Sequence, residues 1–204
     1  MPHYTDVMFD IETTGTGPEL NAIIQISAVQ FNLKTREVSP DFFDRCLFIP
    51  VRRHWDESTR SWWLEKREVL QGIYQRMEEP TVVIKAFYDW LDGPLCDLAG
   101  WNKPLSFDTP FISSYFKEFG YQNPLKYWKA RDLRSFIDGI NHGSDMPFDE
   151  KSVPFEGTVH NALHDTLHQL RILFAATDPA RCRSSPSTIA GSVCLVTPIS
   201  ADGS

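Results

Sequence analysis

Long apolar runs are missing from this chain. No stretch stays apolar for the roughly 20 residues that a membrane-spanning helix needs, so a membrane protein is not expected. The N-terminal Met1-Pro2-His3-Tyr4-Thr5-Asp6 lacks the basic-then-apolar order of a secretory leader. Cysteine is scarce. Cys46, Cys96, Cys182 and Cys194 lie far apart with no C-x-x-C pair, which argues against a zinc site and against a disulfide framework. A reduced, cytoplasmic protein is the expectation. Positive charge is also short. A net charge of -7 excludes a basic coat for nucleic acid. It does not exclude an enzyme that acts on nucleic acid, because cation-binding acids make the metal-free protein negative and bound cations reverse the local sign. No internal repeat is visible, which removes the repeat architectures.

What is present is an ordinary globular composition. At 204 residues the chain fits one domain with a sizeable core. Aromatic residues make up 13%, rich enough to hint at packing or base-stacking surfaces. From Arg181 onward the chain turns to Ser, Pro, Thr and Gly. This divides it into a domain at 1–178 and a tail at 179–204, with Val193 to Val196 the tail's one apolar run.

Three strands are expected first: one ending near Thr13, one over 22–33 and one over 41–49, joined by short turns as an antiparallel meander. A helical stretch follows around Trp62 and Trp63, with Asp56 or Ser58 as its N-cap. Pro80 opens an amphipathic helix with apolar residues at Val83, Phe87 and Trp90, and Gly93-Pro94 ends it. A short strand at 95–101, a helix at 108–119, a strand at 127–131, a helix at 133–140 and a final helix at 161–176 complete the order. Asp132 is the expected cap of the fourth of these helices. The pattern predicts an α/β fold with a central mixed sheet, three-strand meander plus two further strands, flanked by helices.

Chemistry concentrates in Phe9-Asp10-Ile11-Glu12-Thr13-Thr14-Gly15. Strand side chains alternate, so Asp10 and Glu12 point to one face. Two carboxylates side by side at the end of an apolar strand repel and are costly to desolvate unless a cation lies between them. Hard divalent cations suit such oxygen ligands. Gly15 tolerates positive φ and close approach of a ligand to the backbone. Further on, Asp108 follows Phe107 at a helix start, and His160 precedes Asp165 by five residues. Asp108 alone reads as an acid that caps or charges a helix N-terminus, and Asp165 alone as a dipole-favoured acid.

Together, D-x-E, then D, then H-x-x-x-x-D, the chain resembles the DEDDh class of 3′–5′ exonucleases, the DnaQ-like branch of the ribonuclease H-like fold. Ser58-Thr59-Arg60-Ser61-Trp62-Trp63, Ser106-Phe107-Asp108 and Tyr127-Trp128-Lys129-Ala130-Arg131-Asp132 are similar to phage exonuclease A and related actinobacterial 3′–5′ exoribonucleases. The resemblance covers roughly 5–175. It implies two divalent cations, Mg2+ or Mn2+, held by Asp10, Glu12, Asp108 and Asp165, with His160 taking a proton from the attacking water. It implies release of nucleoside 5′-monophosphates from the 3′ ends of single-stranded DNA or RNA, and it suggests a homodimer. Thr13, Thr14 and Gly15 would hold the terminal nucleotide. Trp63 or Phe107 would stack a base, although core packing is the plainer reading of at least one of Trp62 and Trp63. Arg131 would touch phosphate, within the basic stretch Lys126, Lys129, Arg131 and Arg134. Relatives place an Asn two or three residues before the Phe-Asp of the second motif. Asn102 lies further off and inherits no role.

Two other readings compete. His160, His164 and His168 recur every four residues, and His164-Asp165 is an HD pair, as in an HD-type metal phosphohydrolase. That leaves Asp10, Glu12 and Asp108 unexplained. A nuclease-fold binding module without catalysis is the second alternative, and it leaves five suitably filled catalytic positions unused.

Overall fold

The computed structural model describes residues 3–142 and 144–180. The expected tail lies outside the described residues from 181 onward, and with it Cys182, Cys194 and the apolar run at 193–196.

The first strand, β1 (Asp6–Thr13), sits near the centre of the sheet because its side chains serve two cores. Val7, Phe9 and Ile11 point to one face, and Met8 points to the other. β2 (Ile23–Asn32) is buried along nearly its whole length, as a strand covered on both faces must be. β3 (Glu37–Leu47) completes the antiparallel meander. α1 (Glu57–Leu64) begins at Asp56, whose carboxylate accepts the Thr59 N–H at 3.0 Å. α2 (Arg67–Tyr74) follows, then β4 (Met77–Glu78), which pairs in parallel with β3. α3 (Pro80–Trp90) has Pro80 at its first position, where no N–H is needed. After β5 (Ala99–Asn102), α4 (Leu105–Glu118), β6 (Arg131–Asp132), α5 (Leu133–Asn141) and α6 (Ala162–Ala176) close the fold.

The sheet order is β4-β3-β2-β1-β5-β6, six strands rather than the five expected. The extra strand, β4, has two residues, too few to show an alternating pattern. Other boundaries differ: β3 starts at Glu37 rather than 41 and ends at Leu47, and α4 starts at Leu105 rather than 108. The stretch at 95–101 forms a strand only from Ala99, because Gly93-Pro94-Leu95 is a 3-10 turn. Tyr127 to Lys129 is also a 3-10 turn, leaving Arg131 and Asp132 as the strand. Tyr127 is 83% exposed and Trp128 is 62% exposed, so these aromatic rings are not sheet residues. Asp132 caps α5, accepting the Ser135 N–H at 2.7 Å, and its other oxygen accepts the Leu105 N–H at 2.7 Å.

One face of the sheet is covered by α3 and α4 through Val83, Phe87, Phe111, Tyr115 and Phe116. The other is covered by α5 and α6 through Leu133, Ile137, Leu170 and Leu173. Each such side chain contributes about 1.5–3 kcal/mol of burial. α1 and α2 pack Trp63, Leu70 and Ile73 against Ile24 and Cys46.

A buried arginine ties the layers together near the end of β1. Arg53 donates to the carbonyls of Pro18 (2.6 Å) and Asn21 (2.8 Å), to Ser114 Oγ (2.8 Å) and to Glu118 (2.7 Å), with its guanidinium over the Tyr115 ring. It joins the loop after β1 to α4. Arg53→Ala strands those acceptors, and the expected loss is about 3 kcal/mol or more by urea unfolding. Arg53→Lys recovers only part of it, since an ammonium cannot reproduce the planar fork.

Candidate active site

β1 outruns β5. Their parallel pairing ends at Met8 opposite Trp101, while β1 continues to Thr13. Asp10 and Glu12 therefore stand on a length of strand with a partner on one side only. They share the face of Met8, the side on which α6 packs. Across the antiparallel pair they oppose Ser27 and Gln25. α6 then brings Asp165, and ligand oxygens of Asp10, Glu12 and Asp165 all lie within 4.8 Å of one another. Asp108 arrives from the first turn of α4, and its carboxylate accepts the Ile11 N–H beside β5's end. The backbone thus delivers four acids from three elements to one place.

The electrostatic cost is plain in each acid. Burial, then the charges of Asp108 and Asp165, raises Asp10 well above the usual carboxylate range, against a hydrogen bond from Gln169. Burial, then Asp10, Asp165 and Asp108, raises Glu12 likewise. Burial pushes Asp108 up to about 7, opposed by the Ile11 N–H and its own N–H. Burial pushes Asp165 up to about 6, opposed by the His160 N–H and the charge of His164. Asp108 Oδ2 is buried with no hydrogen-bond partner. An unpartnered, buried carboxylate oxygen beside three clustered acids is a donor set that fits hard divalent cations.

His160 sits at the turn before α6 with φ of 65°, a left-handed conformation that costs a non-glycine residue about 1–3 kcal/mol. The surroundings hold it there. Asn161 caps α6, accepting the N–H groups of Leu163 and His164. The Ala162 N–H donates to Gln25 Oε1 at 3.2 Å, pinning the helix start to β2. The His160 imidazole packs on Trp62, and burial, then the charge of Lys66, lowers its pKa.

The other two histidines do not join the acids. His164 Nδ1 accepts the Thr158 N–H at 2.9 Å, and His168 packs on Phe155. The group of potential cation ligands among the described residues contains only carboxylates. A histidine face for metal is not assembled.

Several residues expected to touch substrate are otherwise engaged. Thr14 is fully buried, donating to the His54 carbonyl at 2.8 Å and accepting the Ala22 N–H at 2.7 Å. The Thr13 hydroxyl donates to the Gly15 carbonyl at 2.7 Å. Both hydroxyls shape the exit from β1. Gly15 is not among the positive-φ residues; a Cβ there would overlap the Asn21 side chain, so close packing is the reason for glycine. Trp63 is 1% exposed and donates its indole N–H to the Thr13 carbonyl at 3.0 Å. Its ring is buried with Ile24 and Cys46, and Trp62 is the ring that looks toward His160. Phe107 is partly buried against Phe111. Arg131 is exposed and donates to nearby loop carbonyls, while Lys126 and Lys129 both pair with Asp97.

Gln169 was not anticipated from the sequence. Its Nε2 donates to Asp10 Oδ1 at 2.7 Å, and its Oε1 is buried without a partner. It lies one helical turn after Asp165, at i+4, and that spacing is the signal that would have placed it on the same face.

The chain matches the family model for the Rv2179c-like 3′–5′ exoribonuclease domain over residues 5–177. No curated protein matches it in sequence. Its fold is similar to E. coli exonuclease I in complex with a 5cy-dA13 oligonucleotide, with a TM-score of 0.64 at 13% identity, covering 87% of this chain and 41% of that one. An ExoI/SSB-Ct complex gives 0.63 at 14% identity, with 88% and 42% covered. Cell-death related nuclease 4 (CRN-4) gives 0.61 at 15% identity, with 89% and 65% covered. At these identities the likeness is one of fold, and the chain spans about two fifths of the length of exonuclease I.

Raised acids make the metal-free protein sensitive to pH. Between about pH 4 and pH 7 the folded state keeps protons that the unfolded chain has released, so stability is greatest below the unfolded pKa and is lost as pH rises through about 6 to 7. The melting temperature of chelator-treated protein is expected to be lower at pH 8 than at pH 5. Asp108→Asn should raise it at pH 8, and added Mn2+ should raise it at pH 8 far more than at pH 5.

Proposed function

Since the chain belongs to the Rv2179c-like 3′–5′ exoribonuclease domain family, we propose that it removes nucleoside 5′-monophosphates one at a time from the 3′ end of single-stranded nucleic acid, with RNA the preferred substrate. The observation that carries this reading is the meeting of Asp10, Glu12 and Asp165 within 4.8 Å, with the unpartnered Oδ2 of Asp108 beside them. Nothing in packing rewards that arrangement, and it suits a hydrolase that acts on phosphodiesters with divalent cations.

Asp10, Glu12, Asp108 and Asp165 would hold two divalent cations, Mg2+ or Mn2+. When bound, these supply positive charge to the attacking and leaving oxygens of an in-line displacement. Gln169 fixes the orientation of Asp10 by its hydrogen bond to Oδ1. His160 is the proton acceptor. Burial and the nearby Lys66 keep its imidazole neutral, so a ring nitrogen is free to take a proton from the attacking water as the oxygen bonds to phosphorus and the 3′ oxygen departs. Its backbone N–H on the Asp165 carboxylate sets the base at a fixed distance from the acids. The described cysteines, Cys46 and Cys96, are free and buried, which suits a reducing compartment such as the cytoplasm.

Single-stranded RNA and DNA oligonucleotides labelled at either end test the reading. Mn2+-dependent release of mononucleotides from the 3′ end is expected, faster on RNA, and abolished in Asp10→Asn. His160→Ala should lose about 10²–10⁴ in rate with Mn2+ binding unchanged. Release from the 5′ end, or no cleavage in any metal, would overturn it.

A further inference from the structure

We propose that Trp62 is a positioning residue for His160, and that Lys66 holds the Trp62 ring in place for that purpose. The inference rests on the proton-acceptor role assigned to His160 above.

A general base needs a third group to orient it. Among the described residues the His160 imidazole makes no hydrogen bond that would do this; its shifts arise from burial and Lys66 alone. Its ring partner is Trp62, with centroids 4.6 Å apart and planes at 76°, an edge-to-face contact. The left-handed backbone at His160 fixes where the side chain leaves the turn, and the aromatic contact fixes where the ring stops.

Trp62 itself is held from two further directions. Trp63 packs on it edge to face at 5.0 Å, and Trp63 is anchored to β1 through the Thr13 carbonyl. The Lys66 ammonium lies over the Trp62 ring, 3.8 Å from its centre. The Lys66 backbone N–H donates to the Trp63 carbonyl, so the lysine is fixed at the junction of α1 and α2. A tryptophan that is 36% exposed yet fixed on two sides by its own helix region, with a proposed catalytic imidazole on a third, is placed to brace that imidazole. The same ring, if it served instead as a platform for a base, would contribute to binding of the strand and not to turnover.

The test compares Trp62→Ala and Trp62→Phe in wild-type and His160→Ala backgrounds, with kcat and KM measured on single-stranded RNA. Trp62→Ala is expected to lower kcat by about 10-fold or more with KM within about twofold, because small misplacement of a catalytic group is costly. Trp62→Phe, which keeps an aromatic ring, restores kcat to within about threefold. In the His160→Ala background, Trp62→Ala costs less than about twofold more, as expected for two residues acting as one unit. A rise in KM with kcat intact, or losses that multiply, would overturn the proposal. An NMR measurement on the protein without nucleic acid is independent of activity. The His160 ring protons, identified by their loss in His160→Ala, shift when the Trp62 ring current is removed; unchanged resonances overturn the contact itself. If the wild-type protein cleaves nothing, the proposed function fails, and the NMR result alone decides whether Trp62 holds His160.

Discussion

Four carboxylates in one partly buried place repel each other and lose hydration, and most of the local structure answers that constraint. The answer is made of individual hydrogen bonds. The Ile11 N–H serves Asp108, the His160 N–H serves Asp165, and the Gln169 amide serves Asp10. These lower the cost without removing it, since all four acids stay raised. What remains is an unpaid charge demand, visible in the unpartnered Asp108 oxygen, and hard cations are the species that meet it. The shape of the sheet follows. β1 runs past β5, and Asp108 from α4 and Asp165 from α6 meet it on that length.

Holding repelling groups together requires a rigid frame, and the buried polar contacts supply it. Arg53 gathers the loop after β1 onto α4, the helix that carries Asp108. Gln25 pins the start of α6, the helix that carries Asp165. Trp63 bonds the last residue of β1. Asn21, close against Gly15, accepts the Gly17 N–H at 2.8 Å and donates to the His54 carbonyl at 3.1 Å. None of these residues is chemically suited to hydrolysis. Each fixes one of the elements that deliver the acids.

The sequence revealed the elements whose physics is local. Asp10 and Glu12 were legible because strand side chains alternate, and the helices at Pro80 and Asp132 because proline and aspartate act within one turn. Asp108 and His160 were visible only through their order along the chain, since each alone is an ordinary helix-start residue. Facing was the hidden quantity. Trp62 and Trp63 are adjacent and identical in type, yet one is buried and the other braces a histidine, a difference set by where α1 lies on the sheet. Thr13 and Thr14 were named through the family motif, and the hydrogen bonds of their hydroxyls to the Gly15 and His54 carbonyls had no signal in the sequence. β4 has too few residues for any periodicity to register.

The overhang of β1 leaves strand-edge groups that the fold itself has to close. A strand with one open side is a template on which a second chain can add its own strand, and natural proteins guard such edges with charge. Here the guards are the acids themselves, with the Asp108 carboxylate already seated on the Ile11 N–H. The Ile11 N–H that a neighbouring strand would bind is taken by Asp108, and Phe9 and Ile11 beside it are 1% and 4% exposed, so an acid gathered for the site also closes the strand edge.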